Sequence, residues 1–262
     1  MAELHAAFTG LGVVIAGAVL AWLFSLVRHD VSVVDSLWSL FIATAGIVYA
    51  LRLPSTSARP ALMLALAIVW ALRLSIYISW RNHGQPEDRR YQQIRARNQP
   101  NFELKSLVLI FGLQALLAWI VSAPLLAGVS GPNPLNALDV AGAALAAFGI
   151  VFETVGDQQM ARFRSDPANK GEVMDRGLWR YTRHPNYFGE CCTWWGLYLI
   201  ALAAGGAWWS IVSPLLMTFL LLKVSGVSLL EADISERRPA YRDYIARTSA
   251  FIPAAPRRKA SA

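Results

Sequence analysis

The sequence predicts an all-α, polytopic integral membrane protein with seven transmembrane helices, an outward amino terminus and a cytoplasmic carboxyl terminus. Of its 262 residues, 55% are hydrophobic and only 16% are charged, and the mean hydropathy is +0.40. A soluble domain usually carries about 25% charged residues. The deficit excludes a disordered chain and argues against an ordinary soluble enzyme.

Seven apolar stretches account for the predicted helices, because a helical bilayer crossing takes about 20 apolar residues. In chain order they cover residues 8–27, 33–51, 60–80, 107–129, 138–155, 191–204 and 207–227. Gly205 and Gly206 divide the last two stretches, which would otherwise form one overlong run. Residues 1–7 contain no Lys or Arg and so lack the positive region of a signal peptide, and we expect the first helix to be retained.

The distribution of basic residues predicts the orientation of these helices. With seven crossings, Arg52 and Arg59 fall on one side and Arg73 lies inside the third span. Every other Lys and Arg falls on the opposite side, with Lys223 counted there as a residue near the end of the seventh span. Basic residues are enriched on the cytoplasmic side of membrane proteins. The net charge of +7 therefore reflects membrane topology and does not indicate a nucleic-acid partner.

We expect a single transmembrane domain over residues 1–262 with two functional halves. Residues 1–130 would form the substrate side and include Asp35, and residues 131–253 would bind a cofactor. Residues 254–262 would form a disordered basic tail that contacts anionic membrane lipid. The polar connectors 81–106 and 156–190 face the cytoplasm in this topology. A polar cofactor would therefore bind from the cytoplasm, and a lipophilic substrate would enter from the bilayer.

Residues 177–190 form the densest polar cluster of the sequence, directly before the sixth predicted helix. Arginine offers a planar fork for phosphates, tyrosine offers a stacking face, and asparagine offers an amide donor and acceptor. This mixture suits a nucleotide-like ligand. A membrane anchor with interfacial aromatic residues would explain the Arg and Tyr residues but not Asn186 or Glu190.

Asp35 is an ionisable residue inside the second apolar stretch. A carboxyl group in such a place is costly when charged, whereas its neutral form can donate a hydrogen bond to a carbonyl. Arg73 is one candidate partner, and a structural position at the start of a short helix is the alternative. The four histidines, His5, His29, His83 and His184, show no metal-ligand spacing, so no metal site is predicted.

A resemblance to a known superfamily adds to this interpretation. Residues 183–190 read Arg-His-Pro-Asn-Tyr-Phe-Gly-Glu, which resembles the signature shared by membrane steroid 5-alpha-reductases, sterol reductases and isoprenylcysteine carboxyl methyltransferases. Similarity also runs from Asp35 and Trp38 through residues 87–91 to residues 238–244 and 248–253. Over nearly its whole length the chain most resembles a bacterial branch grouped with the steroid 5-alpha-reductases.

The resemblance implies an NADPH-dependent oxidoreductase of the bacterial inner membrane, with its cofactor site facing the cytoplasm. Its substrate would be a carbon–carbon double bond conjugated to a carbonyl in a steroid-like or other lipophilic molecule. Asp157, Arg164, Asn186 and Glu190 keep the order and spacing of residues around the NADPH site of the steroid reductases. The implied cofactor-binding residues are Asp157, Arg164, Lys170, Arg180, Tyr181, Arg183, His184, Asn186, Tyr187, Glu190, Arg237, Tyr241 and Tyr244. The sequence contains no Gly-x-Gly-x-x-Gly turn that would build a Rossmann site instead.

The resemblance also implies that Asp35 polarises the substrate carbonyl together with a tyrosine. The tyrosine position of the steroid reductases falls at Trp70, which has no hydroxyl group. The hydroxyl group that donates a hydrogen bond to the substrate carbonyl would therefore belong to another residue, such as Tyr77 or Tyr91. We therefore predict Asp35, Tyr91 and Glu190 as the catalytic residues.

Two other functions stay open at this point. The first is an S-adenosylmethionine-dependent membrane methyltransferase of the isoprenylcysteine or phospholipid type, which shares the signature but gives Asp35, Asp157 and Arg164 no role. The second is a non-catalytic lipid-binding or transport protein. Transporters tend to show inverted repeats, and none is visible in this sequence.

Overall fold

The described part of the chain is almost entirely helical. A computed structural model describes residues 1–55, 57–131, 133–224, 227, 231 and 239–257. These residues form no strand, and their isolated β-bridge joins Thr182 to Ser249. The predicted all-α class is therefore confirmed.

The α-helices of the described residues are joined by connections of different lengths. They are α1 (Ala2–Arg28), α2 (Val33–Arg52), α3 (Arg59–Asn82), α4 (Arg89–Arg97), α5 (Phe102–Ser106), α6 (Leu113–Val121), α7 (Ala123–Ser130), α8 (Ala137–Ser165), α9 (Pro185–Ala203), α10 (Val212–Phe219) and α11 (Tyr241–Arg247). A π-helical turn, Leu107–Gly112, joins α5 to α6, and another, Leu220–Val224, follows α10. Short 3₁₀ turns lie at Pro167–Asn169, Gly177–Arg180 and Trp208–Ile211.

Within the described residues, five helical segments are long and apolar enough to cross a bilayer. They are Ala2–Arg28, Val33–Arg52, Arg59–Asn82, Phe102–Ser130 and Ala137–Ser165. They correspond to the first five predicted spans and support a membrane protein. The sixth and seventh spans and the orientation of the termini stay predictions, and the end of the seventh reaches beyond the described residues.

The surface of α1 supports contact with lipid. Phe8, Leu20 and Phe24 are 57%, 67% and 52% exposed on this helix. Apolar side chains exposed in such numbers would be a liability in water. In a bilayer the same side chains meet hydrocarbon, as the apolar composition of the helix predicts.

The chain divides into two compact units. The first consists of Met1–Ala143 and Leu197–Ser213, and the second of Ala144–Gly196 and Pro214–Ala262. Two buried hydroxyl groups of the first unit find partners on a neighbouring helix, as a low-dielectric interior favours. The hydroxyl groups of Tyr49 and Ser122 are 2.8 Å apart, and Ser39 donates a hydrogen bond to the carbonyl of Ala71.

A buried ion pair ties the start of α3 to the start of α8 in the first unit. Arg59 Nε lies 2.7 Å from Asp139 Oδ1, and Arg59 Nη2 lies 2.9 Å from Oδ2. The guanidinium also donates to the carbonyls of Asn133, Pro134 and Ala203. Because the two side chains are 0% and 2% exposed, the pair depends on this full set of partners.

Glycines allow α8 and α9 to cross closely in the second unit. A Cβ atom added at Gly189 would lie 2.6 Å from both the Gly149 carbonyl oxygen and the Glu153 nitrogen. Such contacts are far shorter than van der Waals distance, so only glycine fits here. Small residues at helix crossings are typical of membrane proteins. The crossing places the start of α9, which carries the signature, against the middle of α8.

Candidate functional site

The first unit contains a polar cluster formed by Asp35, Asp88, Arg90 and Tyr91, here called the Asp35 cluster. Asp35 lies in the first turn of α2, where the helix dipole favours a carboxylate. Asp88 caps the amino terminus of α4 by accepting a hydrogen bond from the Arg90 nitrogen at 2.8 Å. This cap fixes the start of α4 and thereby positions Arg90 and Tyr91.

Asp35 accepts a hydrogen bond on each of its oxygens. The Tyr91 hydroxyl donates to Oδ1 at 2.5 Å, and Arg90 Nη2 donates to Oδ2 at 2.8 Å. Arg90 Nε also donates to Asp88 at 3.0 Å, so the guanidinium bridges the two carboxyl groups. Tyr91 is 6% exposed, which makes the phenol–carboxyl contact a buried one.

Electrostatics keep the Tyr91 hydroxyl protonated. Burial, followed by the nearby charge of Asp35, raises the pKa of Tyr91 well above its ordinary value of 10.0. Burial also opposes the charge on Asp88, but hydrogen bonds from the Arg90 side chain and backbone outweigh it and lower the pKa of Asp88. The cluster therefore presents a phenol that donates hydrogen bonds at neutral pH.

The connection before α4 is anchored to the connection before α2. Glu87 accepts a hydrogen bond from the Val31 nitrogen at 3.0 Å, and the Asp88 nitrogen donates to Ser32 Oγ at 3.3 Å. Arg95 then holds Glu87 through two hydrogen bonds of 2.8 and 3.0 Å. These contacts hold α4 beside Asp35 without involving the phenol itself.

Trp38 lies one helical turn after Asp35, on the same face of α2. Its indole N–H is buried, and the part of the chain that the structure describes supplies no acceptor for it. A buried donor without an acceptor is uncommon in proteins. It is a suitable contact for a carbonyl or hydroxyl group of a ligand near Asp35.

The second unit contains a cluster formed by Arg183, His184, Tyr187 and Glu231, here called the Glu231 cluster. Arg183 holds Glu231 in a bidentate pair, with Nε–Oε1 and Nη2–Oε2 distances of 2.7 and 2.8 Å. His184 Nε2 lies 3.0 Å from Glu231 Oε1, and the His184 ring stacks on Tyr187 at 5.4 Å. The structure thus brings three predicted cofactor residues together around Glu231. The sequence places Glu231 in a polar segment that folds back toward the cofactor but does not predict it as a site residue.

Hydrogen bonds stabilise the charged form of Glu231. Burial alone would raise the pKa of Glu231, but the hydrogen bonds from His184 and Arg183 outweigh it and lower the pKa to about 2. Arg183 also donates from Nη1 to the carbonyls of Ile245 and Thr248. Most of its donors are thus used inside the protein, and the arrangement fixes the loop before α9. Direct cofactor contact by Arg183 stays a prediction.

The other predicted residues of the second unit fall into two groups. Asp157 and Glu190 are buried, and Tyr244 is buried with its hydroxyl donating to the carbonyl of Trp179 at 2.5 Å. The second group consists of residues that are accessible to solvent. Arg164, Lys170, Arg180 and Tyr181 are exposed, and Tyr241 is partly exposed. Arg237 lies outside the described residues.

Asn186 offers an unused acceptor at the start of α9. Its Oδ1 atom is buried, and no described residue donates a hydrogen bond to it. A carboxamide N–H is the complementary group for such an oxygen. The resemblance to the steroid reductases predicts Asn186 near the nicotinamide end of a cofactor, and the chemistry of this atom fits that prediction.

Together, the fold and the two clusters define an all-helical membrane protein with a buried phenol–carboxyl pair in one unit and a carboxylate-bound Arg–His pair in the other. The chain matches the family DUF1295, described as a protein of unknown function, over residues 21–248. It therefore belongs to that family. No curated protein and no solved structure matches the chain.

Proposed function

We propose that the protein is an NADPH-dependent membrane reductase of a carbon–carbon double bond conjugated to a carbonyl in a steroid-like or other lipophilic substrate. The observation that carries the proposal is the 2.5 Å hydrogen bond between Tyr91 and Asp35. The sequence predicts these two residues as the donor and the acid for one carbonyl. The resemblance to the steroid 5-alpha-reductases supplies the type of reaction.

Tyr91 is the group that donates a hydrogen bond to the substrate carbonyl in this proposal. Its raised pKa keeps the proton on the phenol, so Tyr91 acts as a hydrogen-bond donor and not as a base. Because a phenol has one proton to donate, Asp35 in its neutral form would donate to the Tyr91 oxygen, fix the orientation of the hydroxyl and leave the Tyr91 proton for the carbonyl. Trp70 cannot supply the hydroxyl group that the steroid reductases have at its position, and Tyr91 supplies one from α4 instead.

Arg90 contributes positive charge to the same place. Its guanidinium bridges Asp35 and Asp88, and those two carboxyl groups raise the pKa of Arg90 against the effect of burial. Negative charge develops on the carbonyl oxygen of an enone as its double bond is reduced. Preorganised donors and charges directed at such an oxygen are the largest protein contribution in reactions of this type.

The cofactor would be held by residues of the second unit. NADPH, when bound, supplies the hydride. Asn186 would accept a hydrogen bond from a carboxamide through its buried Oδ1 atom, which has no donor among the described residues. Arg164, Lys170 and Arg180 would supply positive charge for phosphates. The Glu231 cluster would position the loop that carries Asn186.

The substrate and its route follow from the apolar exterior. A lipophilic enone partitions into the bilayer and would enter between helices of the first unit, whose outward faces are apolar. We propose that the protein lies in the bacterial inner membrane with its cofactor side facing the cytoplasm. This placement rests on the distribution of basic residues in the sequence.

Labelled cofactor tests the proposed reaction. Purified protein is incubated with an α,β-unsaturated steroid ketone and NADPH that carries deuterium at the transferred position. We expect a saturated ketone with deuterium at the β carbon. Tyr91→Phe should lower kcat by about 100-fold to 1,000-fold, the effect of removing one preorganised donor, whereas Tyr77→Phe should not. Equal rates for these two variants would overturn the assignment of Tyr91.

A further inference from the structure

A basic cavity in the second unit lies beside the loop that precedes α9. Its volume is about 540 Å³. Its walls come from the connection around the 3₁₀ turn Gly177–Arg180, from the end of α11 and from the chain that follows α11. The lining residues are Asp175, Arg176, Gly177, Arg180, Arg247, Thr248, Pro256 and Arg257.

The charge of this cavity is strongly positive. Four arginines line it against a single aspartate. The aspartate, Asp175, is already paired with Arg247, whose Nη2 atom lies 2.6 Å from Oδ2. The other three arginines of the lining, Arg176, Arg180 and Arg257, are exposed. The lining contains no second carboxylate that could neutralise them.

Arg247 also carries a buried donor that lacks an acceptor. Its Nε atom is shielded from solvent, and the described part of the chain provides no oxygen for it. A buried N–H group without an acceptor is costly, and the cost is larger when the group is charged. An anion in the cavity would supply the missing acceptor.

The chain after α11 is held in place and forms one wall of the cavity. The Ala254 nitrogen donates to the Tyr181 carbonyl at 3.0 Å, and the Arg257 nitrogen donates to the Arg247 carbonyl at 2.9 Å. Thr182 Oγ1 donates to the Phe251 carbonyl at 2.8 Å. The sequence predicts a disordered basic tail from residue 254, and this is wrong for residues 254–257, whose backbone hydrogen bonds hold them against the loop before α9 and the end of α11.

We propose that this cavity binds a phosphate monoester group. Arginine forks match the oxygens of phosphate, and three uncompensated guanidinium groups suit a dianion better than a singly charged ion. The phosphate could belong to a soluble nucleotide or to the headgroup of a membrane lipid, since both present the same chemical group. Arg180 is also proposed above to contact cofactor phosphates, so a nucleotide source rests on the proposed function, whereas a lipid source does not.

Two binding experiments on the full chain distinguish these sources. The first titrates adenosine 2′,5′-bisphosphate into detergent-solubilised protein by calorimetry. The second compares nanodiscs of phosphatidylcholine with nanodiscs that also contain phosphatidic acid, and measures retention of the acidic lipid. Saturable binding in the first supports a nucleotide source, and selective retention in the second supports a lipid source.

Matched variants locate the binding in this cavity. Arg176→Gln and Arg257→Gln should each weaken binding by about tenfold, the loss of one charge-assisted hydrogen bond. Arg242→Gln removes an exposed arginine of α11 that does not line the cavity, and it should bind like the wild type. Binding should also tighten from about pH 5 to about pH 7.5, because a phosphate monoester loses its second proton near a pKa of about 6.

The proposal is overturned by either of two results. One is the absence of binding in both experiments. The other is binding that Arg176→Gln and Arg257→Gln leave unchanged. Because no NADPH or enone is present, failure of the reductase assignment would not produce either result.

Discussion

The ion pair between Arg59 and Asp139 allows a sharp test of how the first unit is held together. Asp139→Leu removes the carboxylate and leaves a guanidinium that is 0% exposed with three carbonyl acceptors and no counter-charge. Removing one partner of a buried pair costs about 3–5 kcal/mol. We expect a loss of this size in the free energy of unfolding, measured by equilibrium unfolding in mixed detergent micelles.

The double variant Arg59→Met/Asp139→Leu distinguishes the loss of the ion pair from the cost of leaving one buried charge unpaired. Removing both charges avoids an unpaired buried charge, so the double variant should be less destabilised than the sum of the two single variants. It should not regain full stability, because the carbonyls of Asn133, Pro134 and Ala203 lose their donor. Each such group costs about 1–3 kcal/mol when it is left buried without a partner.

An exposed ion pair provides the control. Arg95 Nη1 lies 3.1 Å from Glu103 Oε1, and Glu103 is 53% exposed. Glu103→Leu should cost less than about 1 kcal/mol, as exposed pairs do. If Asp139→Leu costs no more than Glu103→Leu, the reasoning about the buried pair is refuted.

Further predictions concern the second unit and its titration. Glu231 has its pKa lowered from 4.5 to about 2, so its contribution to stability is present above pH 4.5 and is lost as the pH falls toward 2. Thermal unfolding in detergent should therefore show that the free energy of unfolding of the wild type falls by about 1–2 kcal/mol over this range, allowing for solvent screening. Glu231→Gln should lack this fall, and parallel pH curves for the two proteins would contradict the prediction. Gly189→Ala should destabilise the protein by about 1–3 kcal/mol, because the new methyl group meets backbone atoms of α8. Gly12→Ala, where nothing lies within 4 Å of the added atom, should be neutral or slightly stabilising, and a similar loss at both glycines would contradict the crossing argument.

The sequence predicts the parts of the fold that depend on long apolar runs. The first five spans can be recognised because each is apolar over most of a helix that is long enough to cross a bilayer. The sixth and seventh are shorter or interrupted by polar residues, so apolar length alone does not establish them. The helical class follows from the same runs.

Pairings between distant residues cannot be read from the sequence. Asp35 and Tyr91 are both predicted, but Arg90 looks like part of a solvated charged segment, and its hydrogen bond to Asp35 joins residues 55 positions apart. Glu231 follows an apolar run and has no local motif that would join it to Arg183. Arg59 and Asp139 lie 80 positions apart, and each looks like an ordinary helix-end charge.

Equilibrium binding of cofactors is the sharpest test of the proposed NADPH-dependent reductase, because it requires no knowledge of the natural substrate. NADPH and S-adenosylmethionine are titrated separately into the purified protein in detergent, with Asn186→Leu as the variant that removes the unused acceptor. We expect saturable binding of NADPH to the wild type, weaker binding of NADPH to Asn186→Leu and no saturable binding of S-adenosylmethionine. Binding of S-adenosylmethionine alone would overturn the reductase assignment and favour a membrane methyltransferase.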